Sequence, residues 1–205
     1  MTRTMPQPCE KASTPEAMAQ AATLGAALPV LSTERLTLRA PALSDFEAYA
    51  AIACSARGAG LGGPMTRSDA WYDFASMVGN WLLRGHGLWS VEETVSGVHL
   101  GFVVIGFEPG DPHHELGYMF NDTAEGKGFA AEAARAARDY AQSTLNVPVL
   151  DSYIFADNHR SIALAKRLGA EYVGDVSYPQ DDAPWCSYFP TCWYYWCYPT
   201  SRKRG

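Results

Sequence analysis

Hydrophobic and polar residues recur with two different periods along the first half of the chain. Leu36 and Leu38 alternate with polar neighbours, which is the period of a half-buried strand. Apolar residues then recur at helical spacing over 45–53 and, after an expected N-cap at Ser68, over 68–84. Three extended segments follow, separated by turn-forming residues: 88–92, 98–107 and 114–120. This half therefore predicts one strand, two helices and an antiparallel meander.

The second half of the chain alternates helices with strands. Residues 128–145 carry the apolar stripe of an amphipathic helix, and 158–168 form a shorter helix that Gly169 closes. Extended segments are expected at three further places: 150–155, 172–176 and 193–198. Together the elements predict an α/β fold, with a mixed, mostly antiparallel sheet of about seven strands flanked by about four helices.

Composition divides the chain into one folded domain and two terminal segments. Residues 1–31 are rich in Ala, Pro, Thr and Gln and contain few large apolar side chains, so we expect a flexible N-terminal extension. Residues 32–200 form a single domain with its own core, and 201–205 form a basic C-terminal tail.

The charge balance excludes two classes of partner. Among 205 residues, 16 Lys and Arg stand against 22 Asp and Glu, a net charge of −6. Nucleic-acid and anionic-membrane binding need clustered positive charge, so we expect neither partner. No apolar run approaches the roughly 18 residues needed to cross a bilayer. The five cysteines form an odd set without a CxxC pair, which favours reduced thiols and a cytoplasmic protein.

A glycine-rich turn follows the third strand of the meander. Its sequence, Glu125-Gly126-Lys127-Gly128-Phe129-Ala130, opens the helix over 128–145. Glycines let the backbone approach a ligand, and free N–H groups at a helix start favour a pyrophosphate. No Ser or Thr follows the Gly-Lys pair, so the turn is not a P-loop. On its own it is equally compatible with an ordinary strand-to-helix turn.

A second motif follows the next strand: Asp157-Asn158-His159-Arg160-Ser161, continued by Lys166-Arg167-Leu168-Gly169-Ala170. The two motifs, in this order and spacing, resemble those of the GNAT acetyltransferase superfamily. The chain is most similar to the branch that includes the ribosomal-protein alanine N-acetyltransferases, because of two further segments: Thr33-Glu34-Arg35-Leu36-Thr37-Leu38-Arg39 and Glu115-Leu116-Gly117-Tyr118. The resemblance covers residues 32–178 and implies the GNAT fold.

The resemblance also implies a cofactor site. It puts the pyrophosphate of acetyl-CoA on the backbone amides of the glycine-rich turn: Gly126, Lys127, Gly128, Phe129 and Ala130. It puts the pantetheine arm against the backbone of the preceding strand: Tyr118, Met119 and Phe120. One amide of that strand would polarise the thioester carbonyl. Asn158 would lie near the same arm, and Ser161 would contact the cofactor. No metal is implied.

Two candidate catalytic residues come from the same resemblance. Glu115 lies where many members carry the carboxylate that deprotonates the amine, although it could instead face solvent or pair with an arginine. Many members place an acidic tyrosine where this chain has Ala165. Ser161 is then the candidate acid for the departing thiolate, or else a helix cap or a cofactor contact. Glu125 also departs from the Gln or Arg usual at the first position of the turn.

The expected function is transfer of an acetyl group from acetyl-CoA directly to a primary amine, either a protein N-terminus or a small molecule. Residues 32–122, expected to frame the acceptor, hold five basic and eleven acidic side chains, whereas 123–168 hold six and five. Such a field favours a cationic amine. The alternative is a non-catalytic acetyl-CoA-binding regulatory module of the same fold.

Three other segments attract attention. Gly58–Gly63 satisfies a GxGxxG pattern, but it follows a helix and precedes Pro64, so we expect a flexible loop beside the acceptor rather than an NAD site. His113, His114 and Glu115 lack further ligands at metal-binding spacing. Residues 185–198 hold eight of the chain's 25 aromatic side chains, which indicates a buried strand, an acceptor wall or a homodimer surface.

Overall fold

A computed structural model of the chain describes residues 6–61, 63–176 and 193–199. Eight strands form one sheet: β1 (Leu31–Ser32), β2 (Leu36–Arg39), β3 (Leu88–Glu93), β4 (His99–Gly106), β5 (His114–Phe120), β6 (Leu150–Phe155), β7 (Glu171–Val176) and β8 (Trp193–Tyr198). Their order across the sheet is β1-β2-β3-β4-β5-β6-β8-β7. Only β5 and β6 pair in parallel among these strands. The predicted α/β fold with a mixed, mostly antiparallel sheet is therefore confirmed.

Five α-helices accompany the sheet in the described ranges: α1 (Pro15–Ala26), α2 (Phe46–Ala53), α3 (Arg67–Arg84), α4 (Phe129–Ser143) and α5 (His159–Arg167). The N-cap of α3 is Thr66, whose hydroxyl accepts a hydrogen bond from the Asp69 amide at 3.2 Å, so the prediction of Ser68 was wrong. In the described segments, no helix has the length and hydropathy of a membrane span.

The fifth helix lies in the N-terminal segment that the sequence separated from the domain, and the eighth strand crosses the boundary between the two. β1 has two residues, too few to show a period of alternation, and it is defined by pairing with β2. α1 buries no residue. Glu10 nevertheless contacts the domain, accepting two hydrogen bonds from Arg67 at 2.8 and 2.7 Å. Flexibility of residues 1–31 stays a prediction, and 201–205 lie outside the described residues.

The helices cover the sheet from both sides. On one face, α2 and α3 bring Phe46, Tyr49 and Phe74 against Phe102 and Met119 of the sheet. The Tyr49 and Phe102 rings meet edge to face with centroids 5.2 Å apart. On the other face, α4 presents a fully buried alanine stripe: Ala133, Ala134, Ala137 and Ala141. These small side chains let α4 lie close to the sheet, and its N-terminus is thereby held near the end of β5.

The centre of the sheet contains a gap between β5 and β6. Among the described residues the two strands pair at two positions: His114 with Leu150 and Glu115 with Asp151. One residue further along, the hydroxyl of Ser152 donates to the Leu116 carbonyl at 2.6 Å, which fixes the point of divergence. Beyond it β5 has no partner on this side among the described strands, whereas β6 stays paired with β8 along its length.

Candidate active site

The divergence of β5 and β6 opens a cleft lined by four residues that the sequence predicted as functional. Glu115 and Tyr118 belong to β5, whereas Asn158 and Ser161 lie at the beginning of α5. The Tyr118 hydroxyl donates to the Ser161 carbonyl at 3.1 Å and so joins the two walls. Burial raises the pKa of Tyr118, which keeps its phenol protonated.

The beginning of α5 is fixed by Asn158. Its side-chain oxygen accepts a hydrogen bond from the Ser161 amide at 3.1 Å, which makes Asn158 the N-cap of α5. Ser161 is therefore not the cap, and its half-buried side chain lines the cleft. Ala165, one turn further along, is fully buried and brings no hydroxyl to the cleft. Ser161 thus remains the hydroxyl that α5 contributes there.

The glycine-rich segment after α2 covers one side of the cleft. The structure has a 3₁₀ helix at Ala56–Leu61 where the sequence predicted a loop, and Gly62 lies outside the described residues. Gly60 and Leu61 line the cleft. A Cβ atom on Gly60 would lie 3.2 Å from the side-chain nitrogen of Asn158, so the backbone approaches α5 closely. The segment therefore borders the cleft, and its place beside the acceptor stays a prediction.

The second glycine-rich turn lies between β5 and α4. Gly126 and Gly128 have positive φ angles of 71° and 80°, a left-handed backbone that favours glycine. Gly128 is the N-cap of α4, and it has no side chain to bond the first amides of the helix. Those N–H groups and the positive end of the helix dipole are therefore available to an anion.

A clamp from the segment just before β2 holds this turn in place. Glu132, in the first turn of α4, accepts hydrogen bonds from the Thr33 hydroxyl at 2.6 Å and from the Arg35 amide at 2.9 Å. The Arg35 guanidinium binds the other carboxylate oxygen at 2.7 Å and the Lys127 carbonyl at 3.0 Å. It also lies 4.7 Å from the centre of the Phe129 ring. The segment Thr33-Glu34-Arg35-Leu36 thus positions the turn.

A second charged group lies on the other side of the turn. Glu125 receives the guanidinium groups of Arg57 and Arg160, each with an Nη1 atom 2.5 Å from the same carboxylate oxygen. Arg57 also donates to the Phe120 carbonyl at 3.2 and 2.9 Å and pairs with Asp122. Hydrogen bonding from Arg57 is the main cause that lowers the pKa of Glu125. The end of β5, the turn and α5 are linked by these ion pairs.

The electrostatic environment of Glu115 differs from that of an ordinary surface carboxylate. Burial raises its pKa to about 8, and the negative charges of Asp111, Glu108 and Asp151 add to the increase. A backbone hydrogen bond at Tyr153 opposes them. The charged groups that shift its pKa are carboxylates, and no arginine of the described ranges pairs with it. Near neutral pH Glu115 therefore exchanges a proton readily.

The acidic surroundings extend from Glu115 towards α3. Burial, with repulsion from Asp73 and Asp111, raises the pKa of Glu108 to about 7. Burial also raises the pKa of Asp73, although a hydrogen bond from the Tyr49 hydroxyl opposes it. Asp111 accepts a hydrogen bond from the Glu108 amide at 2.6 Å. These carboxylates give the α2/α3 side of Glu115 a negative potential.

The remaining predicted residues take structural positions. His113 binds the buried Asp151 through Nδ1 at 2.8 Å, and His114 stacks on Phe107 with ring centroids 4.7 Å apart. Within the described ranges, no group of His, Cys, Asp or Glu is arranged to hold a metal ion. Met119 and Phe120 are buried, so they offer the cleft their backbone rather than their side chains.

The aromatic C-terminal segment is described only in part. Trp196 and Tyr198 are buried in β8, on the side of the sheet covered by α4. Tyr195 points to the opposite side and stacks on Tyr153, a cleft residue, with ring centroids 5.6 Å apart. Part of the segment is therefore core and part lies behind the cleft wall. The aromatic residues at 185–189 lie outside the described residues.

Sequence reasoning missed Arg57, Arg160 and Glu108. The two arginines lie 68 and 35 residues from Glu125 along the chain, and no local pattern connects them. Arg160 lies inside the second motif, so its position beside a cofactor turn was available as a signal. Glu108 directly follows a predicted strand, and no sequence pattern marked it as a functional residue.

Comparisons with known proteins agree with this arrangement. A family model described as an acetyltransferase (GNAT) domain matches residues 35–171. An acetyltransferase from Agrobacterium tumefaciens strain C58, solved by crystallography, is 37% identical, with a TM-score of 0.74 over 84% of this chain and 95% of that chain.

Two further matches are weaker or shorter. The uncharacterized protein YkkB of Bacillus subtilis strain 168 is 34% identical over 102 residues, which cover 45% of this chain and 58% of that protein. The chain therefore spans less than two thirds of the length of that relative. The ribosomal L7/L12 α-N-protein acetyltransferase RimL, in complex with coenzyme A, shares the fold at 15% identity, with a TM-score of 0.65 over 82% of this chain and 97% of that one.

Proposed function

The chain belongs to the GNAT acetyltransferase family, and we propose that it transfers the acetyl group of acetyl-CoA directly to a primary amine. The observation that carries this proposal is the cleft between β5 and β6, which has Glu115 near its apex. The glycine turn and the N-terminus of α4 follow the end of β5. A thioester donor and an amine could meet in such a cleft from opposite ends.

The residues of the turn and cleft fit acetyl-CoA. Uncapped amides at the start of α4 suit a pyrophosphate, and the unpaired edge of β5 suits the amides of a pantetheine arm. When bound, acetyl-CoA supplies the activated acetyl group. The backbone of Tyr118, Met119 and Phe120 would orient it, and one amide there would stabilise negative charge on the carbonyl oxygen.

Glu115 is proposed as the general base. An ammonium group must lose its proton before its nitrogen can attack, and a carboxylate with a pKa of about 8 is well matched to accept it near neutral pH. Among the residues that the structure describes, those lining the cleft include no cysteine and no histidine. This supports direct transfer over a covalent acetyl-enzyme.

Ser161 is proposed as the donor of the proton that the departing thiolate takes up. Its side chain lines the cleft, and the buried Ala165 offers no alternative hydroxyl on α5. The substitution Ser161→Ala should lower kcat by a larger factor than it weakens CoA binding. If kcat is unaffected, solvent supplies that proton and Ser161 is only a cleft residue.

The acceptor is proposed to be a cationic amine, either a small molecule or a protein N-terminus. The support is the group of carboxylates on the α2/α3 side of Glu115, whose mutual repulsion an incoming cation would relieve. A homodimer and a cytoplasmic location stay predictions from the sequence.

The test is release of CoA from acetyl-CoA across a panel of small amines and peptides with free N-termini. Activity with at least one acceptor, abolished by chemical blocking of its amine, supports the proposal. Thermal stabilisation by acetyl-CoA without CoA release from any acceptor would instead favour a non-catalytic binding module. The absence of a tyrosine at Ala165 is the observation behind that second function.

A further inference from the structure

Glu125 holds together two arginines from distant parts of the chain. Arg57 comes from the 3₁₀ helix at Ala56–Leu61, and Arg160 lies in the first turn of α5. Both Nη1 atoms lie 2.5 Å from the same oxygen of Glu125. Two guanidinium groups at such a short separation repel each other unless an anion lies between them. In this structure the Glu125 carboxylate is the anion between them.

The ion pairs with Glu125 are exposed and therefore exchangeable. The Arg160 side chain is 78% exposed, and Glu125 and Arg57 are 36% and 33% exposed. Exposed pairs of this kind contribute little net stability. Within the described ranges Arg160 has no other ion pair, so it is free to follow another anion. Arg57 binds the Phe120 carbonyl through Nε and Nη2, so it can turn Nη1 to a new partner without leaving β5.

The position of these arginines identifies the anion. Glu125 immediately precedes Gly126 and Gly128, whose turn leads into the uncapped amides of α4. Lys127 adds a further exposed cation at the turn. A phosphate offers several oxygens in the geometry that a guanidinium group binds in a bidentate manner, with a larger charge than a carboxylate.

We propose that Arg57 and Arg160 bind phosphate groups of acetyl-CoA, and that Glu125 is the positioning residue that keeps both guanidinium groups beside the turn. The inference rests on the proposed use of acetyl-CoA and extends it to residues outside the glycine turn. It also explains why Glu125 is acidic at a position where a negative charge would otherwise repel a polyphosphate.

The experiment measures dissociation constants by titration for three ligands: CoA, dephospho-CoA, which lacks the ribose phosphate, and pantetheine, which has no phosphate. Arg57→Met and Arg160→Met should each weaken CoA binding by about five-fold or more, and leave pantetheine binding within about two-fold. If dephospho-CoA loses the same factor, the arginine binds the pyrophosphate; if it loses none, the arginine binds the ribose phosphate. Arg135→Met, which removes an exposed arginine elsewhere on α4, is the matched control.

Glu125→Gln distinguishes positioning from simple repulsion. If Glu125 positions the arginines, the variant should bind CoA about three-fold more weakly despite having lost a negative charge, and the loss should vanish in an Arg57→Met, Arg160→Met background. Tighter CoA binding by Glu125→Gln, or equal losses for CoA and pantetheine in the arginine variants, would overturn the inference.

Should Arg57→Met fail to fold, the exposed Arg160 still provides the test. CoA binding with this pattern but no CoA release would reject the transferase and retain the phosphate site.

Discussion

Arg35 binds both carboxylate oxygens of Glu132, through its backbone amide at 2.9 Å and its guanidinium Nε at 2.7 Å. The contact joins the residue immediately before β2 to the first turn of α4, 97 residues away along the chain. The same guanidinium reaches the Lys127 carbonyl, so the pair holds the turn as well as the helix.

Removal of this clamp should destabilise the turn more than the fold. We expect Glu132→Ala to lower the free energy of unfolding by about 1–2 kcal/mol, mainly through the lost hydrogen bonds from Thr33 and the Arg35 amide. Because Arg35 is 44% exposed, the ion pair itself adds little. CoA should bind at least about five-fold more weakly, measured by calorimetry. Asp139→Ala, which breaks the Arg138–Asp139 pair on the same helix, should leave CoA affinity unchanged.

Glu115→Gln should separate chemistry from cofactor binding. The amide cannot accept the proton of an ammonium group, so kcat should fall by about 10²- to 10⁴-fold, while CoA affinity stays within about two-fold. In the parent protein kcat/KM should rise with pH and level off above about 8, because the base works in its ionised form. In the variant, kcat/KM should no longer show the rise that Glu115 ionisation causes below about pH 8. Unchanged turnover would remove Glu115 as the base.

The raised pKa of Glu115 also predicts how stability depends on pH. Its pKa is 4.5 in the unfolded chain and about 8 in the fold, so between these values the folded state binds more protons. The free energy of unfolding therefore decreases as pH rises through this window. The change in melting temperature caused by Glu115→Gln should be more positive at pH 9 than at pH 5, by at least about 2 °C. Glu16→Gln, an exposed change on α1, should show no such difference.

Gly128→Glu should prevent cofactor binding. The residue has a φ angle of 80°, and the new carboxylate would stand at the amides expected to receive a pyrophosphate. We expect CoA affinity to fall by about 100-fold or more. Gly85→Glu is the matched control, since Gly85 has a φ angle of 75° at the C-terminal cap of α3, a different helix. It should cost similar stability but leave CoA affinity unchanged; equal losses would attribute the effect to backbone strain.

The acidic side of the cleft should select acceptors by charge. Three amines with the same four-carbon chain test this: diaminobutane, butylamine and aminobutyrate, whose second ends are positive, neutral and negative. We expect kcat/KM to decrease in that order, with the range reduced by high salt and by Glu108→Gln. Equal rates for the three amines, insensitive to salt, would contradict a cationic acceptor.

Much of the site was accessible from the sequence because its parts are local. The strand, glycine turn and helix around Gly126 and Gly128 are consecutive, and positive φ angles at glycine follow from the absence of a side chain. Asn158 caps α5 through an amide three residues away. The two-residue β1 and the Thr66 cap were not found, because a strand so short has no period and two neighbouring hydroxyls compete for one cap.

The sequence by itself determined the order of most strands and helices, since periodicity and turns depend on neighbours along the chain. Its resemblance to the GNAT superfamily implied which residues are expected to meet acetyl-CoA. Only the tertiary structure decided that β5 and β6 part after Glu115, that three other carboxylates act on Glu115, and that Arg57 and Arg160 converge on Glu125. Burial and charge pairing depend on which distant segments the packing brings together, and local patterns carry no record of that.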